Sequence, residues 1–327
     1  MGIDLALFEG SLTLSADYYI KRTKDMLTIP PALAVAGENA SIWLNTGEME
    51  NKGWEVTLGY RSPRYGDFSW NASLNLSQYK NKLITLNSRQ KYIGGDQRLI
   101  PGQAMGVYYG YVCDGIFQND EQVASHATQP GAAPGRLIYR DLDGNGVINE
   151  DDRCIIGDPN PDLSLGLNMA FKYKGFTLDM FFAGDFGFDI QNHMKRQLLS
   201  MNYGNLSTNR GVDILNAWTP TNTDTDIPAM GLHSDTGERN YHWKYADVNV
   251  VSASFIKMRN IGVTYDLPKT WLTKIGVKGA RLKLQVDNAF RWTANDKDID
   301  PEAFNANSGT RNEAVMPSYI LGLNIQF

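Results

Sequence analysis

The sequence predicts an all-β chain, a sector of a large antiparallel transmembrane β-barrel of about nine strands, with short periplasmic turns and long extracellular loops. Three observations predict it. Segment after segment alternates with period two, apolar on one face and hydroxyl, amide or glycine on the other. The connections between these segments are alternately short and long, so all short turns fall at one end of a meander and all long loops at the other. The last segment, PSYILGLNIQF, stays apolar on one face through Phe327, with no polar tail after it.

The strands follow in order. Residues 3–8 lead through a tight turn at Glu9 and Gly10 into 11–21, where Leu12, Leu14, Ala16, Tyr18 and Ile20 oppose Thr13, Ser15, Asp17 and Tyr19. A loop from Arg22 to Lys52 precedes 53–61, which sets Trp54, Val56, Leu58 and Tyr60 against Glu55, Thr57, Gly59 and Arg61. The short RSPRYGD returns the chain into 67–77, with Phe68, Trp70, Ala72, Leu74 and Leu76 against serine and asparagine. A long segment, 78–162, separates this from 163–173, where Leu163, Leu165, Leu167, Met169, Phe171 and Tyr173 oppose Ser164, Gly166, Asn168, Ala170 and Lys172. Lys174 and Gly175 turn into 176–185, whose one exception is Phe181 on the polar face. A second long segment, 186–253, contains DIQNHMKRQLLSM, which reads as a short helix. In 254–265 the apolar phase switches between Met258 and Ile261, as a β-bulge allows. A modest connection leads to 280–290, with Asn288 misplaced on the apolar face, and a loop from Arg291 to Met316 precedes 317–327.

Composition agrees. No run of roughly eighteen apolar residues occurs, which excludes a membrane-spanning helix but not a barrel, since only alternate strand residues meet lipid. The net charge of −5 comes from mixed signs without a basic block and argues against nucleic acid as a partner. Cys113 and Cys154 are too few for a disulfide scaffold; they either pair in an oxidising exterior or stay separate thiols. MGIDLALFEG has none of the features of a secretory signal and opens inside the first strand, so a barrel reading expects further strands and a leader upstream.

The sharpest chemical motif is DLDGNGVINEDD. Asp141, Asp143 and Asn145 stand at positions 1, 3 and 5 of an EF-hand-type calcium loop, with Gly146 at the sharp turn and Ile148 at position 8. Val147 would offer its carbonyl at position 7, Asn149 would hold a water at position 9, and Asp152 replaces the usual glutamate at position 12. Calcium here would be a structural clip, since no helix pair flanks the loop; the competing reading is a solvated Asp/Asn/Gly turn. Aromatic residues crowd the outer loops: Trp43, Tyr108, Tyr109, Tyr203, Trp218, Tyr241, Trp243 and Trp292. Flat rings beside polar groups suit sugars and peptides, which makes Tyr203, Trp218, Tyr241, Trp243 and Trp292 candidate substrate contacts; loop packing would explain them as well. His126, His193, His233 and His242 lack zinc spacing, and no phosphate loop, nucleophile elbow or zinc-protease helix occurs, so no enzymatic activity is expected.

Several stretches together resemble one family, the SusC/RagA-like TonB-dependent transporters of the outer membrane. They are NTGEMENKGWEVTLGY (45–60), YRDLDGNGVINEDDRCIIGDPNPDLSLGLN (139–168), AWTPTNTDTDIP (217–228), SFIKMRNIGVTYDLP (254–268), DPEAF (300–304) and the C-terminal strand. The resemblance implies that 1–327 is the C-terminal part of a barrel of roughly twenty-two strands, lacking plug and TonB-contacting segment. It implies import of oligosaccharides or peptides, with membrane lipid, a SusD-like surface lipoprotein and the TonB complex as partners. The alternative is a soluble or surface-attached β-rich binding protein with a calcium-clipped loop, and dependence on detergent separates the two.

Overall fold

The computed structural model describes residues 1–28, 44–63, 66–86, 97–192, 195, 198–199, 209–230, 246–273, 276–295, 300–305, 310–311 and 315–327. The chain runs as β1 (Gly2–Leu7), β2 (Leu12–Thr28), β3 (Leu44–Arg61) and β4 (Phe68–Thr85). The next segment carries β5 (Gln97–Arg98), β6 (Val107–Gly110), β7 (Cys113–Ile116), helix α1 (Asp120–Ser125), β8 (Leu137–Tyr139) and β9 (Cys154–Gly157). Then come β10 (Leu163–Tyr173), β11 (Phe176–Phe186), β12 (Asp189–Gln191), β13 (Val250–Ser252), β14 (Phe255–Asp266) and β15 (Gly279–Thr293). The small hairpin β16 (Phe304–Asn305) and β17 (Thr310–Arg311) precedes β18 (Ser318–Gln326).

Nine of these strands form one antiparallel sheet in the order β1-β2-β3-β4-β10-β11-β14-β15-β18, the predicted meander, with β1 and β18 at its edges. Its register explains the alternation in the sequence. Leu58, Leu74, Leu167, Phe182, Met258 and Phe290 are successive cross-strand partners and make one continuous apolar row. One residue away, Thr57, Asn75, Gly166, Ala183, Lys257 and Arg291 make a polar or small row on the opposite face. The polar face satisfies itself laterally: the Thr57 hydroxyl donates to Asn75 Oδ1 at 2.9 Å and Ser164 to Asp185 at 2.5 Å. Phe181 fits on that face because its ring lies over Gly166, 3.7 Å from where a β-carbon would stand. The turn at Lys174 and Gly175 has φ of 45° and 88°, the left-handed pair that a two-residue hairpin requires.

The phase switch in β14 is a bulge. Phe181 faces Asn260 and Phe182 faces Met258, so Arg259 is the extra residue. Across the next strand Asp287 faces Asn260 and Phe290 faces Met258, leaving Asn288 and Ala289 opposite Arg259. Asn288 takes φ of 53°, and its place on the nominal apolar face is a consequence of this irregularity.

Two expectations need correction. The barrel strands are longer than 11–21, 53–61 and 67–77: β2 continues to Thr28, β3 begins at Leu44 and β4 continues to Thr85. Period-two hydropathy reports the solvent on each face, and it vanishes where both faces are polar although the ladder goes on, for example at the pairs Arg22 with Glu50 and Asn51 with Asn81. The start of DIQNHMKRQLLSM is strand, since Asp189–Gln191 is β12, paired with β13, while its described residues 195, 198 and 199 are helical as expected.

The sheet buries little between its own faces, and the buried apolar residues lie in the long segments. Tyr111, Ile116, Leu137, Tyr139, Ile148, Trp218 and Ala246 form one cluster, and Leu199, Ile214, Ala217 and Ile227 a smaller one. The first unites residues from 86–162 with residues from 187–254, so the two long loops fold as one body. This body docks on β4, where Leu83 exchanges backbone hydrogen bonds with Gly102 and Gln103, and Met105 N–H donates to Asn81 Oδ1 at 2.8 Å.

Candidate functional site

The segment from Asp141 to Asp152 folds as a tight loop. Among the described residues, one carboxylate oxygen from each of Asp141, Asp143 and Asp152 lies within 4.8 Å of the other two. Asp141 accepts from the N–H groups of Gly144 and Gly146, both at 2.8 Å. The Gly146 hydrogen bond, more than the Gly144 one, holds the Asp141 carboxyl below the usual carboxylate range. Asp143 accepts from Asn145 N–H at 3.0 Å, and Asn145 accepts in turn from Val147 at 2.8 Å. Asp152 is fully buried and closes the loop, one oxygen on Leu142 N–H at 2.9 Å and the other on Asn149 N–H at 2.7 Å. Asn149 caps the short helical turn 150–152. Ile148 is inserted into the shared loop core, and its N–H donates to Thr128 O while Thr128 N–H donates to Gly146 O. The donor set is all oxygen, suited to a hard divalent cation.

The aromatic candidates divide. Tyr203, Tyr241 and Trp243, with Trp43, lie outside the described residues. Trp218 is buried in the core joining the two loops, its indole N–H donating to Gln118 Oε1 at 2.8 Å. Gly135, at φ of 83°, is what admits it: a β-carbon there would stand 2.5 Å from the Trp218 ring and from Ala229. Trp292 is paired in register with Ile256 and projects, half exposed, from the apolar face of the sheet. The structure therefore does not bring Trp218 and Trp292 together. Tyr108, in β6 and paired with Gly157 of β9, is buried. Cys113 and Cys154 are free thiols, and burial, with Asp247 beside it, pushes the Cys113 thiol up.

Sequence reasoning assigned no role to a charged cluster on the polar face at the long-loop end. Lys257 Nζ lies 2.6 Å from Asp300 and also contacts Glu302, Arg291 lies 3.2 Å from Asp300, and Arg259 pairs with Glu302. Lys257 and Asp300 are both nearly inaccessible. Burial raises the Asp300 carboxyl, but the Lys257 hydrogen bond and charge, with Glu302 N–H and Arg291, bring it below its ordinary value. The cluster pins the 300–303 turn to the inner wall. Asp300 and Glu302 lie 43 and 45 residues from Lys257, so no local pattern in the sequence signals the cluster.

A further feature defines the class of protein. The apolar face is covered by no described element, while the loop body and the 300–303 turn both sit on the other side. Leu284, Leu321 and Leu323 are each more than half exposed, and the same holds for Tyr319 and Phe327. Aromatic rings mark the short-turn end of that face, where Phe68, Tyr173, Phe176 and Tyr265 are successive partners and Phe176 stacks on Tyr265 at 4.2 Å. At the other end the Trp54 indole donates to Gln78 Oε1 at 2.7 Å, beside Tyr18. From Phe68 to Gln78 is ten residues of β4, about 33 Å along the strand and about 25 Å along a membrane normal at the usual tilt. A curved antiparallel sheet with an apolar band of that height and aromatic borders is a wall of a transmembrane β-barrel.

The comparisons give the family. The model of the TonB dependent receptor-like β-barrel matches residues 1–289, and the chain belongs to that family. TonB-dependent receptor P3 of Formosa agariphila is 33% identical over 348 residues, covering 100% of this chain and 33% of the relative. TonB-dependent receptor SusC of Bacteroides thetaiotaomicron is 28% identical, with 100% of this chain and 31% of the relative covered. The structure of the RagAB peptide transporter superposes with a TM-score of 0.79 at 22% identity, over 100% of this chain and 34% of that one. The chain thus spans about a third of the length of the curated relatives it matches.

Proposed function

We propose that this chain is a wall of an outer-membrane importer that takes up oligosaccharides or peptides too large for open pores, energised through TonB and covered by a SusD-like surface lipoprotein. The observation that carries this is the uncovered apolar face, about 25 Å high between aromatic borders, in a chain whose described long-loop residues pack at one end of the opposite face. A soluble binding protein would have to expose that whole face to water, far beyond the few hundred Å² that monomers tolerate. SusC and RagAB, among the proteins it resembles, are named a TonB-dependent receptor and a peptide transporter, which supports import as the activity and a peptide as one cargo. In this reading the loop body built on Trp218 and Gly135 forms the outer mouth, and the loop from Asp141 to Asp152 binds one calcium ion through Asp141, Asp143, Asn145, the Val147 carbonyl and Asp152, with Asn149 holding a water. The ion would fix the loop geometry and take no part in transport chemistry. Uptake of labelled oligosaccharide and peptide libraries by cells carrying or lacking the intact receptor tests the function. Uptake that needs both the receptor and TonB is the expected result, and uptake unchanged by deletion of the receptor would refute it.

A further inference from the structure

We propose that the outer face of β2, β3 and β4, just beyond the apolar band, is a docking surface for phosphate-bearing lipid headgroups of the leaflet on the long-loop side. This rests on the barrel reading above. The register sets the heights. Tyr18, Trp54 and Gln78 are successive partners at the upper border of the band. Two residues further, Lys52 pairs with Lys80, and two beyond that Glu50 stands between Arg22 and Lys82. All these positions keep the phase of Leu58 and Leu74 and so face outward with them. The inward neighbours Asn81 and Leu83 are the ones held by the loop body.

Each two-residue step rises about 5 Å along the normal at the usual strand tilt. The headgroup layer is about 5–7 Å thick on each side of the hydrocarbon. Lys52 and Lys80 therefore stand at headgroup height, and the backbones of Arg22 and Lys82 about 3–5 Å beyond the layer, within reach of it along their long side chains. The charge balance favours an anion. Glu50 is buried under Arg22 and Lys52, each at 2.7 Å, and Glu48 is the other acid on this face. Lys80 and Lys82 are exposed, and none of the ion pairs among the described residues involves them. Four cations against two acids leave an excess of positive charge, with two ammonium groups directed at the layer where lipid phosphates lie. Long lysine stems are suited to this, since they lie along apolar surface and extend the charge to water.

The test uses the intact receptor released from membranes in mild detergent, compared with Lys80→Gln/Lys82→Gln and, as a control on the opposite face of β2, Lys21→Gln. Native mass spectrometry counts retained phosphate-bearing lipids. The expected result is a several-fold loss of retained anionic lipid in the double variant and none in Lys21→Gln. A second arm adds inorganic phosphate or a lipid with a neutral headgroup; the docking surface predicts displacement by neither at concentrations where an anionic phospholipid displaces. Equal retention in the double variant and the parent overturns the proposal, and so does equal displacement by inorganic phosphate. A probe on Leu167→Cys, quenched by lipid-borne quenchers in all variants, keeps the barrel reading separate: loss of that quenching would strike the barrel, whereas retained quenching with unchanged lipid retention strikes the headgroup surface alone.

Discussion

Arginine placed at Leu167 isolates the membrane reading from every other feature of the chain. On β10, Leu167 lies six residues from Tyr173 in the aromatic border at the short-turn end, about 20 Å along the strand and about 15 Å along the normal at the usual tilt, close to the midplane. Its register partners are Leu74 and Phe182, which offer no charge or hydrogen bond to a guanidinium. Leu167→Arg should therefore cost about 2–4 kcal/mol, the range for a cation at the midplane of a barrel's lipid face. Tyr173→Arg, on the same face but at the border, should cost about 0–1 kcal/mol. Asn168→Arg points to the polar face and should cost less than Leu167→Arg. The assay is equilibrium unfolding of the receptor in bilayers, with each variant compared at the same denaturant slope. A core buried by protein would penalise Leu167→Arg and Tyr173→Arg without regard to height, so equal costs at 167 and 173, or a larger one at 168, would refute the depth argument.

Asp300→Leu leaves the nearly inaccessible Lys257 with the partly exposed Glu302 alone, so it should destabilise the docked 300–303 turn, by less than the roughly 3–5 kcal/mol of a wholly unpaired buried charge. The double variant Lys257→Met/Asp300→Leu should be milder, and limited proteolysis of the loop before β18 reads both. The depressed carboxyl of Asp300 contributes stability that is fully present above the unfolded value near pH 4 and is lost only as pH falls below it through the lower folded value, so the same turn should stay protected down to about pH 4 and become protease-sensitive on further acidification; protection already lost well above pH 4 would contradict the assignment. Asp141→Ala and Asp143→Ala should each abolish calcium binding measured by calorimetry, and unchanged titrations in both would reject the site. Gly135→Ala should loosen the loop body, because the left-handed φ and the Trp218 ring both oppose a β-carbon; hydrogen exchange at Phe117 and Ala229, whose backbones bond to Arg136 and Gly135, reports it.

What was legible in the sequence follows from where water and lipid lie. Within the band the two faces meet different solvents, and 163–173 and 176–186 could be read almost residue by residue. The bulge at Arg259 was visible for the same reason, as a break in phase. Above the band both faces of β2, β3 and β4 are largely polar, and the last eight residues of β4, up to Thr85, or the first nine of β3, carry no period to read. The short strands β5 to β9 were illegible because their order comes from contacts between loops distant in sequence, such as Tyr111 with Ala246, which no local pattern encodes. The convergence of Asp141, Asp143 and Asp152 was readable because their spacing is local, and the ion cluster at Lys257 was not, because its partners are 43 and 45 residues away.

The two long loops cannot move independently of each other. Trp218, from the second, is seated between residues of the first and is hydrogen bonded to Gln118. Asp247, also from the second, accepts from Cys113 N–H at 3.1 Å while its own N–H donates to Tyr111 O at 3.0 Å. Ile148 ties the acidic loop into that same core. Packed cores are bistable more than they are deformable, so a displacement of either loop must carry the other and the Asp141–Asp152 segment with it. That makes the acidic loop a brace on a shared body, held there by Ile148 and by the Thr128 backbone.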